Sequence, residues 1–510
     1  MQTTVQSNQG EQIPDRRIAL WNIAVVCLIL SGLVVVTSRT IADPDLWGHV
    51  RFGLDTIQNR GVMRNDPYSY LTAGQPWFNH EWLAEVTFAM AWLVARATGL
   101  VVLKTSLWVL AYLLLYWNLV KHIKSHLRVG IILFLSMTLT FPFFITIRPQ
   151  SFTAVLYVLV LISIMHAEGK IHFLWICPLI FAVWPNLHGA FIAGFGILYL
   201  WAALYLLTHR TIGIWKQVFP PLLLSGLALL VNPYGIDLLT FLFQNLADSR
   251  LEIIEWQPMQ IHSLTGAFFL LWIAIILSCL IFSRKPRNPR FLILLVITAY
   301  LPFMALRYTL FFILTAVLVA GEHIGDTWER LMPLSQQSAR RTIGAPVLTL
   351  ITAMMLLAWK WTNFNGIPIK NPEYYPIAAV SILNQSQIIG NLAVHFDWGD
   401  YALWHLAPEI KVSLDTRREM AYSEVIYKEN VRNMTGIGDW SALLDDHPTQ
   451  IALVKSASPT DNLMKLHVDW IEIYRDEVSV LFSHKDYVQR EQLLRAVTDY
   501  ELLEVDDYFP

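Results

Sequence analysis

Charge is scarce in this sequence. Asp, Glu, Lys and Arg make up 15% of its 510 residues, where soluble domains carry about 25%, and that shortage excludes a chain whose whole surface faces water. Cysteine is scarcer still. Cys27, Cys177 and Cys279 each lie inside an apolar run, which points to packing rather than to a disulfide framework or a metal site. A basic excess is missing too: the net charge is −2, so nucleic acid is not an expected partner. Nor is there an internal repeat, a low-complexity run or a phosphate-binding glycine loop. What is plentiful is apolar. Hydrophobic residues reach 55% and the mean hydropathy is +0.45, the composition of a polytopic membrane protein.

The apolar run 18–37 is long enough to span a bilayer. No small-residue cleavage site follows it, so it reads as a retained helix. Arg16 and Arg17 precede it and predict a cytoplasmic N-terminus. Segment 82–98 is apolar but carries Glu85 and Arg96. If it crossed, the basic loop 121–128 would be external, against the positive-inside rule, so it is expected to lie along the interface. Spans are then expected at 100–119, 129–147, 151–165, 172–186, 189–208, 215–231, 264–283, 291–306, 308–322 and 345–361, eleven in all with the first. Basic residues without special spacing collect in the cytoplasmic turns, among them Arg128, Arg287, Arg340 and Arg341. The short polar motifs all fall outside. The expected division is a transmembrane domain, 1–362, with a long first external loop, 38–99, followed by an external α/β domain, 363–510.

Asp43 to His49, DPDLWGH, opens the first external loop. Asp43 before Pro44 reads as a helix start with an N-cap carboxylate. Asp45 and His49 then fall four residues apart on one helix face, with Arg51 close by. This set can supply a general base (Asp43, Asp45, His49) or ligands for Mg²⁺ or Mn²⁺ (Asp43, Asp45). The plain alternative is a capped interfacial helix anchored by Trp47. Arg51, His80, Glu81, Arg148, Gln150, Asn186, His188 and Arg307 are candidates for holding an anionic substrate group. Ionisable side chains at span ends are costly and by default mark a site, and a planar guanidinium suits phosphate. Asn232-Pro233-Tyr234-Gly235 reads as a turn, and Asp397 to Tyr401 with Asp415 to Arg418 reads as turn chemistry with surface charge rather than as a crevice.

A first span followed by an acidic motif in a long external loop resembles the GT-C membrane glycosyltransferases. The motifs DPDLWGH, DPYSY, NHEWL, RPQ, NLHG, NPYG and DWGDY, in that order, are similar to a group of bacterial glycosyltransferase-like membrane proteins. The resemblance implies a multi-pass enzyme of the bacterial inner membrane with a periplasmic C-terminal domain. It would move a sugar from a polyprenyl-phosphate carrier to a glycan, lipid or protein acceptor of the cell envelope. Asp43 or Asp45 would then be the catalytic carboxylate, and Arg148, Arg307 and His188 would hold the carrier phosphate. The tryptophan-tryptophan-aspartate motif of oligosaccharyltransferases and the aspartate-glutamate pair of protein O-mannosyltransferases are both missing. From the residues alone, a transporter or flippase of lipid-linked or anionic substrates and a non-catalytic envelope scaffold remain open.

Overall fold

The computed structural model describes residues 16–245, 253–333, 344–362, 364–369, 374–500 and 508–510. Arg340 and Arg341 lie outside the described residues. The membrane helices are α1 (Arg16–Thr37), α3 (Trp82–Val120), α4 (His126–Phe144), α5 (Gln150–Ala167), α6 (Cys177–Val183), α7 (Phe191–Thr208), α8 (Ile212–Ala228), α10 (Leu264–Phe282), α11 (Pro289–Tyr300), α12 (Thr309–Leu331) and the helix Gly344–Thr362. Two helices outside this set, α2 (Pro44–Gln58) and α9 (Ile236–Asn245), complete the first twelve. Each of the eleven expected spans overlaps helix. Among the described residues, however, only eight helices are long and apolar enough to cross a bilayer. The stretches at 172–186, 215–231 and 291–306 are shorter. Prolines explain much of this, since Pro185 sits in a 3₁₀ turn and Pro302 starts another, each ending regular α-helix.

Segment 82–98 is the first part of α3, a 39-residue helix broken at Ala95 and Arg96, where Arg96 has φ +49°. At 1.5 Å per residue an unbroken helix of that length would run to roughly 58 Å, about twice the hydrocarbon core. The break leaves about 13 residues before it, too few to cross, and about 24 after it, which suffice. Gly99 makes the fold-back practicable, because a Cβ there would stand 2.0 Å from the Ala91 carbonyl oxygen.

Two compact units divide the chain. The first holds Met1–Arg39, Trp108–Phe141 and Ile254–Asn365. In it α1 packs along the helix Gly344–Thr362, and α12 packs against α10 and α11. The second holds Thr40–Leu107, Pro142–Ile253 and Gly366–Pro510, which joins α2 and the first loop to the C-terminal α/β fold.

That α/β fold carries a five-stranded sheet of β1 (Gly390–Val394), β2 (Ile410–Val412), β3 (Ile451–Lys455), β4 (Trp470–Arg475) and β5 (Ser479–His484) in the order β2-β1-β3-β5-β4. The β2-β1-β3 pairs are parallel, and β3-β5 and β5-β4 are antiparallel. β3 is buried along Ile451–Val454, as an apolar run covered on both faces should be. β2 is a sheet edge, and the first loop covers it: the Tyr70 amide donates to the Val412 carbonyl at 3.2 Å and the Val412 amide to the Tyr68 carbonyl at 3.2 Å.

Asp397 is exposed, as surface charge should be, but Asp400, Asp415, Arg417 and Arg418 are buried. Arg417, 2% exposed, grips Asp415 through Nε at 2.8 Å and Nη2 at 2.6 Å, and reaches Asp66 of the first loop through Nη1 at 2.8 Å. Its guanidinium carbon lies 4.7 to 5.2 Å from the ring centres of Phe52, Tyr68 and Trp77. Asp400, fully buried, accepts from the Thr416 hydroxyl. Burial and then the Asp415 charge hold its carboxyl well above the usual carboxylate range.

Two expectations follow. Arg417→Ala leaves Asp66 and Asp415 buried without their cation and should cost about 3–5 kcal/mol, read as a lower melting temperature, whereas Asp400→Asn should melt close to wild type. The charge segregation predicts cytoplasmic labelling of cysteines at Ser125 and Ser283 and external labelling at Ser386. Ser283 and Ser386 turn out to be buried, so exposed Pro286 and Val488 serve in their place. Cysteines at Ser125 and Pro286 should react only after permeabilisation, and one at Val488 in intact cells.

Candidate active site at the first turn of α2

Asp43 has the extended backbone of an N-cap, and Pro44 starts α2, as the sequence suggests. Its side chain makes no capping bond. The carboxylate is instead drawn away by Arg148, which donates through Nε to Asp43 Oδ2 and through Nη2 to Asp45 Oδ2 at 2.8 Å. One guanidinium thus fixes both acids of the first turn, the bidentate geometry that arginine offers and lysine does not. Asp43 is 6% exposed, and its Oδ1 has no partner among the described residues. Burial, with the charge of Asp45, pushes the Asp43 carboxyl above its ordinary value against the pull of Arg148. Gln150, at the start of α5, leaves Oε1 buried and without a partner among the described residues. Such atoms are rare in native interiors and mark places where a ligand can bond.

The backbone brings these side chains together. The Ile41 amide donates to the Ile145 carbonyl at 2.8 Å, so the segments leading to Asp43 and Arg148 are paired. Lys104, wholly buried, reinforces the pairing by donating to Thr40 Oγ1 and to the Phe144 carbonyl, each at 2.6 Å. Sequence reasoning passed over Lys104. The signal was there, since a lysine inside an apolar span is costly unless it has work to do.

A second group surrounds Glu81. Its Oε1 lies 3.8 Å from His188 Nε2 and 3.9 Å from His80 Nε2. Thr153 Oγ1 stands 2.9 Å from His188 Nδ1 and accepts the Trp184 indole N–H at 2.9 Å. If that hydroxyl gives its single proton to Nδ1, Nε2 is left protonated towards Glu81. The motifs NPYG and NLHG hold this group in place. The Tyr234 hydroxyl accepts from the Asn79 amide at 2.9 Å and donates to the Trp77 carbonyl at 3.2 Å. Asn186 accepts the Trp82 indole N–H at 2.9 Å and gives its own N–H groups to the Ala182 and Val231 carbonyls. Asn186 is therefore a clamp, with no donor left over for phosphate.

His49 faces a different partner from Asp45. Its Nδ1 lies 3.7 Å from Glu85, which also accepts from Asn79 Nδ2 at 2.6 Å. Burial alone would depress the His49 imidazole, but the neighbouring Glu85 carboxylate and the charges of Glu81 and Asp45 outweigh it and lift the value to about 9. That shift favours the protonated imidazole over the free base that a general-base role needs. Arg51 turns to Asp55 at 2.9 Å. Arg307 belongs to the first unit, where it lies over Trp256 at 4.4 Å and pairs with Glu255 at 3.8 Å. Trp47 is no membrane anchor: it is 1% exposed, packed among Tyr375, Tyr401, Trp404 and Phe509. Among the described residues no group of three or more His, Cys, Asp and Glu stands ready to hold a metal ion. At Asp43 and Asp45 a guanidinium already occupies the place between the two carboxylates.

A helical membrane body joined to a small C-terminal sheet is the architecture of a GT-C-like fold. Two crystal structures of ArnT from Cupriavidus metallidurans share it. The one bound to undecaprenyl phosphate aligns with a TM-score of 0.50 at 12% identity, covering 92% of this chain and 98% of that one. The apo structure gives 0.53 at 13%, covering 91% and 97%. No family model matches the chain, and neither does any curated protein.

The raised His49 value sets a pH dependence. The folded imidazole holds its proton up to about 9 and the unfolded one up to 6.5, so the stabilisation is complete below pH 6.5 and fades as the pH rises towards 9. The melting advantage of wild type over His49→Gln should therefore shrink across that window, by on the order of 2–3 kcal/mol.

Proposed function

We propose that this chain is a membrane glycosyltransferase that takes a sugar from a polyprenyl-phosphate carrier and places it on an acceptor hydroxyl of the cell envelope. The observation that carries the reading is the pairing of Asp43 and Asp45 by Arg148 on the first turn of α2. It lies within a fold shared with ArnT, which has been solved with undecaprenyl phosphate bound.

In the proposed reaction a carboxylate takes the proton of the acceptor hydroxyl. The acceptor oxygen then attacks the anomeric carbon, the bond from that carbon to the phosphate oxygen breaks, and polyprenyl phosphate leaves with the electron pair. Asp45, 25% exposed at its side chain, is the carboxylate that an acceptor can reach. Asp43, buried beneath, fixes Arg148 and shares its charge. The rising negative charge on the phosphate meets Arg148 and the Nε2 groups of His80 and His188, cations and donors set in place before the reaction. No step is assigned to Mg²⁺ or Mn²⁺; Arg148 takes one oxygen of each carboxylate. The reading also places the chain in the bacterial inner membrane with the C-terminal domain in the periplasm.

The test separates the two acids. Asp45→Asn should melt within about 1 kcal/mol of wild type and lose transfer from undecaprenyl-phosphate-linked sugars in membranes. Asp43→Asn should lose both transfer and stability, since it weakens the buried partner of Arg148. Full transfer by both variants would make the cluster structural and the transferase reading untenable.

A further inference from the structure

The groove beside Arg51 is not absorbed by that mechanism. Arg51, Asp55 and Ile57 of α2, Trp92 and Leu93 of α3, and Trp404 of the helix Gly399–Leu406 line an open cavity of about 600 Å³. That volume falls within the roughly 300–1,000 Å³ of small-ligand sites. All these residues belong to the second unit.

Its polar side is a matched pair. Arg51 Nε donates to Asp55 Oδ2 at 2.9 Å, and the Tyr68 hydroxyl donates to the same oxygen at 2.6 Å, so the pair is fixed from two directions. Arg51 Nη1 and Nη2 and Asp55 Oδ1 take no partner among the described residues. They offer donors beside an acceptor, each in a set place. A sugar hydroxyl is both donor and acceptor, so neighbouring hydroxyls of one ring satisfy both groups at once. An anion would meet Asp55, and a cation would meet Arg51. A neutral polyol meets neither penalty.

The apolar side is built from two indoles. Trp92 and Trp404 stand edge to face, 5.7 Å apart at 86°. Trp92 is held by its N–H to the Pro510 carbonyl at 2.8 Å and by Arg96 at 3.9 Å, and Trp404 by Trp47 and Phe509. Rings locked in this way offer a large contact area at little cost in conformational entropy. Ile57 and Leu93, 36% and 54% exposed, extend the apolar rim.

We propose that this groove binds a neutral saccharide and is the subsite for the glycan portion of the acceptor. The word acceptor rests on the transferase reading; saccharide binding does not. The measurement is saturation-transfer-difference NMR on the full chain in lipid nanodiscs free of glycosidic detergent. Maltotriose, cellotriose and chitotriose are the probes and trigalacturonate the charged control. At least one neutral trisaccharide should bind in the millimolar range and the trigalacturonate should not. Trp92→Ala and Asp55→Asn should each weaken binding tenfold or more. Asp55→Asn keeps the side chain's shape and an oxygen for Tyr68, so it covers the case in which Trp92→Ala fails to fold. Asp45→Asn, inactive in the proposed reaction, should keep wild-type affinity, so a failed transfer assay and a failed binding assay are told apart. Absence of binding by all three neutral probes, equal binding of trigalacturonate, or unchanged affinity in Asp55→Asn would overturn the inference.

Discussion

Burying a guanidinium and two carboxylates costs several kcal/mol per ion unless geometry and further hydrogen bonds repay it. Arg417 meets that condition: it bonds Asp415 twice and Asp66 once, Tyr422 donates to Asp415 at 2.8 Å, and Thr72 closes the remaining oxygen of Asp66 at 2.5 Å. The rings of Phe52, Tyr68 and Trp77 add their negative faces to the same cation. Three separate stretches, α2, the first loop and the segment after β2, are thereby fixed to one atom group. The placement of the loop on the edge of β2 and of α2 against the α/β fold both depend on it.

α2 then serves three neighbours with three parts of one short helix. Its first turn gives Asp43 and Asp45 to Arg148. Gly48 lets the Asp400 carboxyl come so near that a Cβ would stand 2.8 Å from it, and Gly53 lets the α3 backbone approach to 2.1 Å of the same imaginary atom at Glu85. Farther along, Arg51 and Asp55 face the groove. A helix packed this closely on two sides has little freedom to shift, so the acids at its start hold their position.

The helical body and the α/β strands were legible because each follows from a strong local signal. Apolar runs of span length and short β-branched strands between turns need no knowledge of partners. The neighbourhood of Asp43, Asp45, Arg148, Glu81 and His188 was legible as residue types, since charges at the ends of apolar runs stand out. Their pairings were not. That Asp43 would abandon its cap for Arg148, that His49 would choose Glu85 over Asp45, and that Arg307 would pair with Glu255 are decided by tertiary contacts, to which spacing along one helix is blind. Asp415 and Arg417 look like surface charge in sequence because nothing local announces that Asp66 and three rings will cover them. Lys104 was hidden by the opposite effect, a single charge averaged away by the apolar residues around it.

The bond from Arg417 to Asp66 spans 351 residues and that from Ser69 to Ser413 spans 344, which sets an order of events during biogenesis. At about 5–20 residues per second, a ribosome needs roughly 20–70 s to travel from one end of such a contact to the other. Through that interval α2 lacks the partners of Trp47 and Gly48, and the first loop lacks its latch. The nascent chain therefore carries the Asp43 motif through that interval without the surroundings that give it shape. Maturation of the first loop waits on the segment after β2, so quality control of that later segment is also quality control of the loop.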